Sequence, residues 1–94
     1  MVENLLIIPD LGKKLSLLLD MGLNGIHKAT ELSERTGIGA PEISRYRRRG
    51  DNRISRSKFK SLCKVYADTV EEKLWFESIE AFTNALTANA IEPI

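Results

Sequence analysis

Cysteine and histidine each occur once in this chain of 94 residues, as Cys63 and His27. A lone cysteine closes no internal disulfide. One cysteine and one histidine supply neither the ligand set of a structural metal site nor a nucleophile with its base. Carboxylate pairs at catalytic spacing, a Ser-His arrangement and a phosphate-cradling glycine loop are also missing, so an enzyme is not expected and no metal or cofactor is called for. No apolar run approaches the roughly 18 to 20 residues of a membrane span. The longest, Leu5 to Ile8, is far too short to span a bilayer, and no membrane partner is expected. Lys14 followed by "LSLLL" has the look of a leader peptide, but Asp20 closes the run and no small-residue cleavage pattern follows, so an intracellular, cytoplasmic protein is expected. At this length one domain fits, burying roughly 60 to 65% of its unfolded surface.

Charge is plentiful and segregated. The formal net charge is only +1. From Arg45 to Lys60, however, Arg45, Arg47, Arg48, Arg49, Arg53, Arg56, Lys58 and Lys60 face Asp51 alone, and from Asp68 onward six acids face Lys73. A basic block can be simply a solvated helix face, so its meaning depends on where the fold places it.

Helical periodicity dominates, and no stretch shows the alternating β-branched pattern of a strand. A first helix is expected from Asp10, as a carboxylate cap, through Leu11, Leu15, Leu18 and Leu19, ending in "MGLNG". A second spans "IHKATELSERT", with Ile26, Ala29 and Leu32 inward. Gly37 suits the left-handed position after it. A third, short helix runs from Pro41 to about Arg49, with proline in the first turn where its missing amide hydrogen costs nothing. Ile43 and Tyr46 point inward, and Gly50-Asp51-Asn52 breaks it. A fourth is expected over about Ser57 to Ala67, capped by Ser55 or Ser57, with Phe59, Leu62, Cys63 and Tyr66 on one stripe. A last one opens at "TVEE", a capping-box spacing, and runs to about Asn89, with a frayed tail over 90–94. The expected fold is therefore all-α with five helices. Residues 10–67 form a four-helix core, with a helix-turn-helix at 26–49, and 69–89 form a C-terminal helix.

A helix, a tight glycine turn and a second short helix is the arrangement that can press the second helix into the major groove of double-stranded DNA. With Ile43 and Tyr46 inward, 100° per residue leaves Pro41, Ser44, Arg45 and Arg48 outward. Arginine is the side chain best matched to guanine, and Arg45 is the first candidate base reader, with Ser44 beside it. Arg49, Arg53, Arg56 and Lys58, with Asn52 and the amides at the following helix start, fall where phosphates are contacted, and Lys28 at the start of the second helix joins that set.

These residues resemble a known family. "ELSERTGIGAPEISRYRRRG" is similar to the helix-turn-helix of the lambda-repressor-like regulators of Cro and repressor type, and "SKFKSLCKVYADTVEEKLW" resembles their fourth and fifth helices. The likeness covers about Ile26 to Trp75. It rests most on Leu32, Gly37, Ile38, Ile43, Ser44, Arg45 and Gly50. It implies that Gly39, Ala40 and Pro41 open a recognition helix whose Ser44, Arg45 and Arg48 face DNA. Ser33 stands where the family usually has alanine. The run Arg47-Arg48-Arg49 is one residue longer than usual before Gly50, leaving Arg48 and Arg49 as alternatives for one position. The segment from "ISRYRRR" onward also resembles the lambda CII type of activator.

Leu74, Trp75, Ile79, Phe82 and Leu86 give the last helix a wide apolar face, which is expected to pair two copies on a palindromic operator. Cys63 is expected as a buried, inert thiol and His27 as a surface residue. The expected function is sequence-specific transcriptional regulation, repression before activation, in a bacterium or phage, at its nucleoid. The rival is an antitoxin-like or assembly protein that clasps a second protein with the acidic last helix.

Overall fold

The computed structural model describes residues 4–90. Among them are five α-helices and one small antiparallel sheet, in the order β1 (Leu5–Ile7), α1 (Leu11–Met21), α2 (Ala29–Thr36), α3 (Ala40–Arg49), β2 (Arg53–Ser55), α4 (Arg56–Val65) and α5 (Ile79–Ala90). Single 3₁₀ turns occupy Leu23–Gly25 and Glu72–Phe76. The all-α expectation holds, and no helix among the described residues is long and apolar enough to cross a membrane. The 90–94 tail lies mostly outside the described residues.

The sheet corrects the expectation of no strands. Leu5 pairs with Ser55, Leu6 with Ile54 and Ile7 with Arg53, and the ladder is continued by Ile8 N–H to Asn52 O at 2.9 Å and Arg56 N–H to Asn4 O at 3.1 Å. Three residues per strand are too few for alternation to register in the sequence. The sheet forms because Ile8 and Ile54 enter the core, both essentially unexposed, and draw their flanking backbone together.

Helix α1 begins after Asp10, but not by the expected carboxylate cap. Asp10 has left-handed φ of 52° and makes no side-chain cap bond, and its carbonyl accepts from Lys14 N–H at 3.0 Å. The helix packs against α3 and α5. The α1–α3 approach is close enough to exclude any side chain at Gly12: a Cβ there would lie 2.0 Å from the Tyr46 carbonyl oxygen.

Helix α2 starts three residues later than "IHKAT" implied, because Lys28 is extended and Glu31 reaches back to accept from the amides of His27 and Lys28, both at 3.0 Å. At its other end Gly37 takes φ +78°, a conformation that costs glycine nothing, and its N–H bonds to Ser33 O at 2.8 Å. Thr36 Oγ1 donates to Leu32 O and accepts from Ile38 N–H, so the turn delivers Ile38 into the core. Helix α3 follows at once, its Ile43 and Tyr46 buried as the spacing predicts. Helix α4 is capped by Ser55, which accepts from Lys58 N–H, and buries Phe59 and Leu62.

The segment 69–89 is not one helix. Glu77 is extended after the 3₁₀ turn, and α5 starts afresh with Ser78 Oγ accepting from Ala81 N–H at 3.1 Å. The cause is distant in sequence. The fully buried Lys14 ammonium donates to the carbonyls of Trp75 at 2.7 Å and Glu77 at 2.6 Å, two acceptors that a continuous helix would have spent on its own amides. Thr69 does not form the expected capping box either; its hydroxyl bonds to Tyr66 O. Phe59, Tyr66 and Phe82 surround Trp75 in an edge-to-face and tilted cluster that closes this end of the core, and the exposed Phe76 meets the Phe59 ring edge-on from outside.

Candidate nucleic-acid interface

The exposed side of α3 is basic because its buried side is fixed. With Ile43 and Tyr46 inside, Pro41, Ser44, Arg45, Arg48 and Arg49 line one shallow concavity. Both alternatives of the arginine run therefore reach the same face: Arg48 lies one turn beyond Ser44 and Arg49 one turn beyond Arg45. Arg47 turns the other way, its Nε donating to Ser16 Oγ of α1 at 3.0 Å. Ala40 is half-buried at the helix start, beside exposed Pro41.

Two polar arrangements hold this face. Arg45 Nε lies 3.5 Å from Asp51 Oδ2, and the guanidinium sits 5.8 Å from the centre of the Tyr46 ring. Asp51 is fixed in turn by accepting from Arg53 N–H through Oδ1 at 3.1 Å, just after the chain reverses at Gly50. Beneath them, Tyr46 donates its phenol to Glu42 Oε2, while Lys58 Nζ donates to Glu42 Oε1 at 2.5 Å, joining α3 to α4. Burial alone would raise the Glu42 carboxyl, but the bonds from Lys58 and Tyr46 outweigh it and hold the group below the ordinary carboxylate value. Burial, reinforced by the Glu42 carboxylate, drives the Tyr46 phenol far above its ordinary range.

The expected phosphate set is only partly assembled. Arg49 and half-buried Asn52 line a second concavity with Lys13, Arg47 and Arg48, next to the first. Arg53 is exposed on β2 and reaches the site through its amide on Asp51. Lys58 differs from the others in that its ammonium already has a partner, donating to Glu42 Oε1 at 2.5 Å. Lys28 and Arg56 are exposed but line neither concavity. The sequence reading missed Lys13, which α1 carries to the basic surface; nothing in its own neighbourhood marks it, since the α1–α3 approach at Gly12 places it there.

The expected pairing face is a further correction. Trp75, Phe82 and Leu86 are at most 3% exposed within the single chain, and Leu74 and Ile79 are half-buried against the same core. Around the break at Glu77, α5 packs on α1 while Trp75 of the turn meets Phe59 of α4, so Trp75, Phe82 and Leu86 are used internally. Cys63, expected to be buried, is only half-buried on α4, its thiol pushed up to about 11 mainly by burial. His27 is exposed, as expected.

Comparison of the chain with family models, with curated proteins and with solved structures gave no match.

Proposed function

We propose that this chain is a sequence-specific double-stranded DNA-binding regulator of the lambda-repressor-like kind, which inserts α3 into the major groove. The observation that carries the reading is the division of α3 into a core side, Ile43 and Tyr46, and a solvent side, Ser44, Arg45, Arg48 and Arg49, immediately after the Gly37 turn. A groove-reading helix needs both. Lys13, Arg49 and Asn52 border that side with groups suited to phosphate, and Arg53 is exposed on β2 just beyond them. Ser44 and Arg45, with Arg48 or Arg49 a turn further on, are the base readers of this proposal, and Ala40 and Pro41 bring the helix start close to the groove.

Repression, in the cytoplasm of a bacterium or in a phage-infected cell, is the form of regulation we favour, through the resemblance of "ELSERTGIGAPEISRYRRRG" to that family. Two copies on a palindrome remain part of the proposal. Their contact would not be built from Trp75, Phe82 and Leu86, which the core consumes.

Selection of bound fragments from random duplex DNA tests the reading. Recovery of a common motif, bound with an affinity that falls steeply with salt, is expected. Fragments no richer in any motif than the input pool would end it.

A further inference from the structure

Asp51 is the one acid in the basic stretch from Arg45 to Lys60, and from the turn just after α3 it pairs with Arg45 on the exposed face of that helix. We infer that Asp51 is a positioning residue that aims Arg45 at a guanine, so that specificity at that base pair depends on a carboxylate that does not touch the DNA. This inference rests on the DNA-binding reading above and names what makes its central contact selective.

The geometry carries it. A long arginine side chain that is 48% exposed would ordinarily sample many rotamers. Here the guanidinium is bracketed: Asp51 Oδ2 approaches from the Nε side at 3.5 Å, and the guanidinium carbon sits over the Tyr46 ring, 5.8 Å from its centre. The terminal edge, Nη1 and Nη2, is left for a partner. That edge matches the paired acceptors O6 and N7 that guanine shows in the major groove.

Each bracket has a further contact of its own. Asp51 uses its other oxygen on Arg53 N–H at 3.1 Å, and Tyr46 is held by Glu42, itself bonded to Lys58. The aim of Arg45 is therefore set by α3, by the turn after it and by α4 together. Preorganisation of this kind lowers the entropic cost of the correct contact and does nothing for a wrong base. A merely solvated ion pair would behave in the opposite way, because removing an acid near phosphates strengthens binding to every sequence alike.

The experiment compares the wild-type protein with Asp51→Asn, Arg45→Ala and the double variant. Affinity is measured for the wild type's selected site and for a random duplex, over a range of salt. Asparagine keeps an acceptor for Arg53 N–H, so the turn is retained, and a melting curve on each variant checks the fold. Asp51→Asn is expected to lower the ratio of selected-site to random affinity by roughly tenfold, while random binding stays level or rises. In the Arg45→Ala background the same change is expected to leave that ratio unaltered, since the carboxylate then has nothing to aim. An unchanged ratio in Asp51→Asn, or an equal further drop in the double variant, overturns the inference while leaving DNA binding intact. A wild type that prefers no sequence removes both the reading and the inference.

Discussion

Lys14 and Trp75, 61 positions apart in the chain, are joined by a buried bond from the lysine ammonium to the tryptophan carbonyl at 2.7 Å. A second bond to Glu77 O, and the Phe82 ring 5.5 Å from Nζ, complete the setting. Replacing Lys14 by methionine keeps the length and apolar stem but leaves two carbonyls without a donor. The loss is expected to be about 2 to 4 kcal/mol, read as a lowered midpoint in urea with unchanged slope. A midpoint equal to that of the wild type would mean that the carbonyls find other donors.

Gly12→Ala is the strongest steric test of the α1–α3 contact. Its methyl would stand 2.0 Å from a backbone oxygen, which cannot rotate away, so the helices must separate. A loss of about 3 kcal/mol or more is expected, as in severe overpacking. Gly37→Ala meets open space and pays only for φ +78°, about 1 to 2 kcal/mol. Thermal denaturation of the two variants should rank them in that order.

Glu42 makes stability depend on acid. Its carboxyl sits below its ordinary value of 4.5 in the folded chain, so the folded state favours the ionised form more than the unfolded state does. The contribution is therefore complete above about pH 4.5 and is lost as the pH falls through the lower folded value. Glu42→Gln should cost about 1 to 2 kcal/mol at neutral pH and flatten the fall in stability that sets in as the pH drops below the ordinary carboxyl value of 4.5, followed by urea denaturation in increasingly acidic buffers.

The proposed roles of the arginines separate by salt. Arg45→Ala should reduce affinity for the selected site roughly tenfold or more and flatten the preference among bases. Arg53→Ala and Lys13→Ala should weaken all sequences alike and each reduce the slope of log affinity against log salt by about 0.9. Lys58→Ala should leave that slope nearly unchanged, because Glu42 already compensates its charge. Binding isotherms at several salt concentrations distinguish the groups.

How far the fold can be read from the sequence depends on the range of the interactions involved. Gly37, Pro41 and the Ile43 and Tyr46 spacing act within a turn or two, and the structure has them where local chemistry puts them. The reading failed where a distant partner decides. Lys14 breaks the last helix from 61 residues away, and Ile8 and Ile54 create a sheet too short to show a period. The basic site divides in the same way. The outward arginines of α3 follow from its own periodicity, whereas the commitment of Lys58 to Glu42 and the arrival of Lys13 follow from packing between helices.

The pairing of Leu5 with Ser55 fastens the start of the described chain to the segment just beyond α3. Everything between them, α1, α2 and α3, is thereby enclosed in a ring of about fifty residues closed by main-chain bonds rather than by a covalent staple. A single protease cut in the exposed turn at Asn24 and Gly25 would open that ring without releasing either piece, since the sheet and the core still clasp both. Fusing a bulky tag immediately ahead of Asn4, by contrast, would strain the clasp itself and be felt at Ser55 and Arg56.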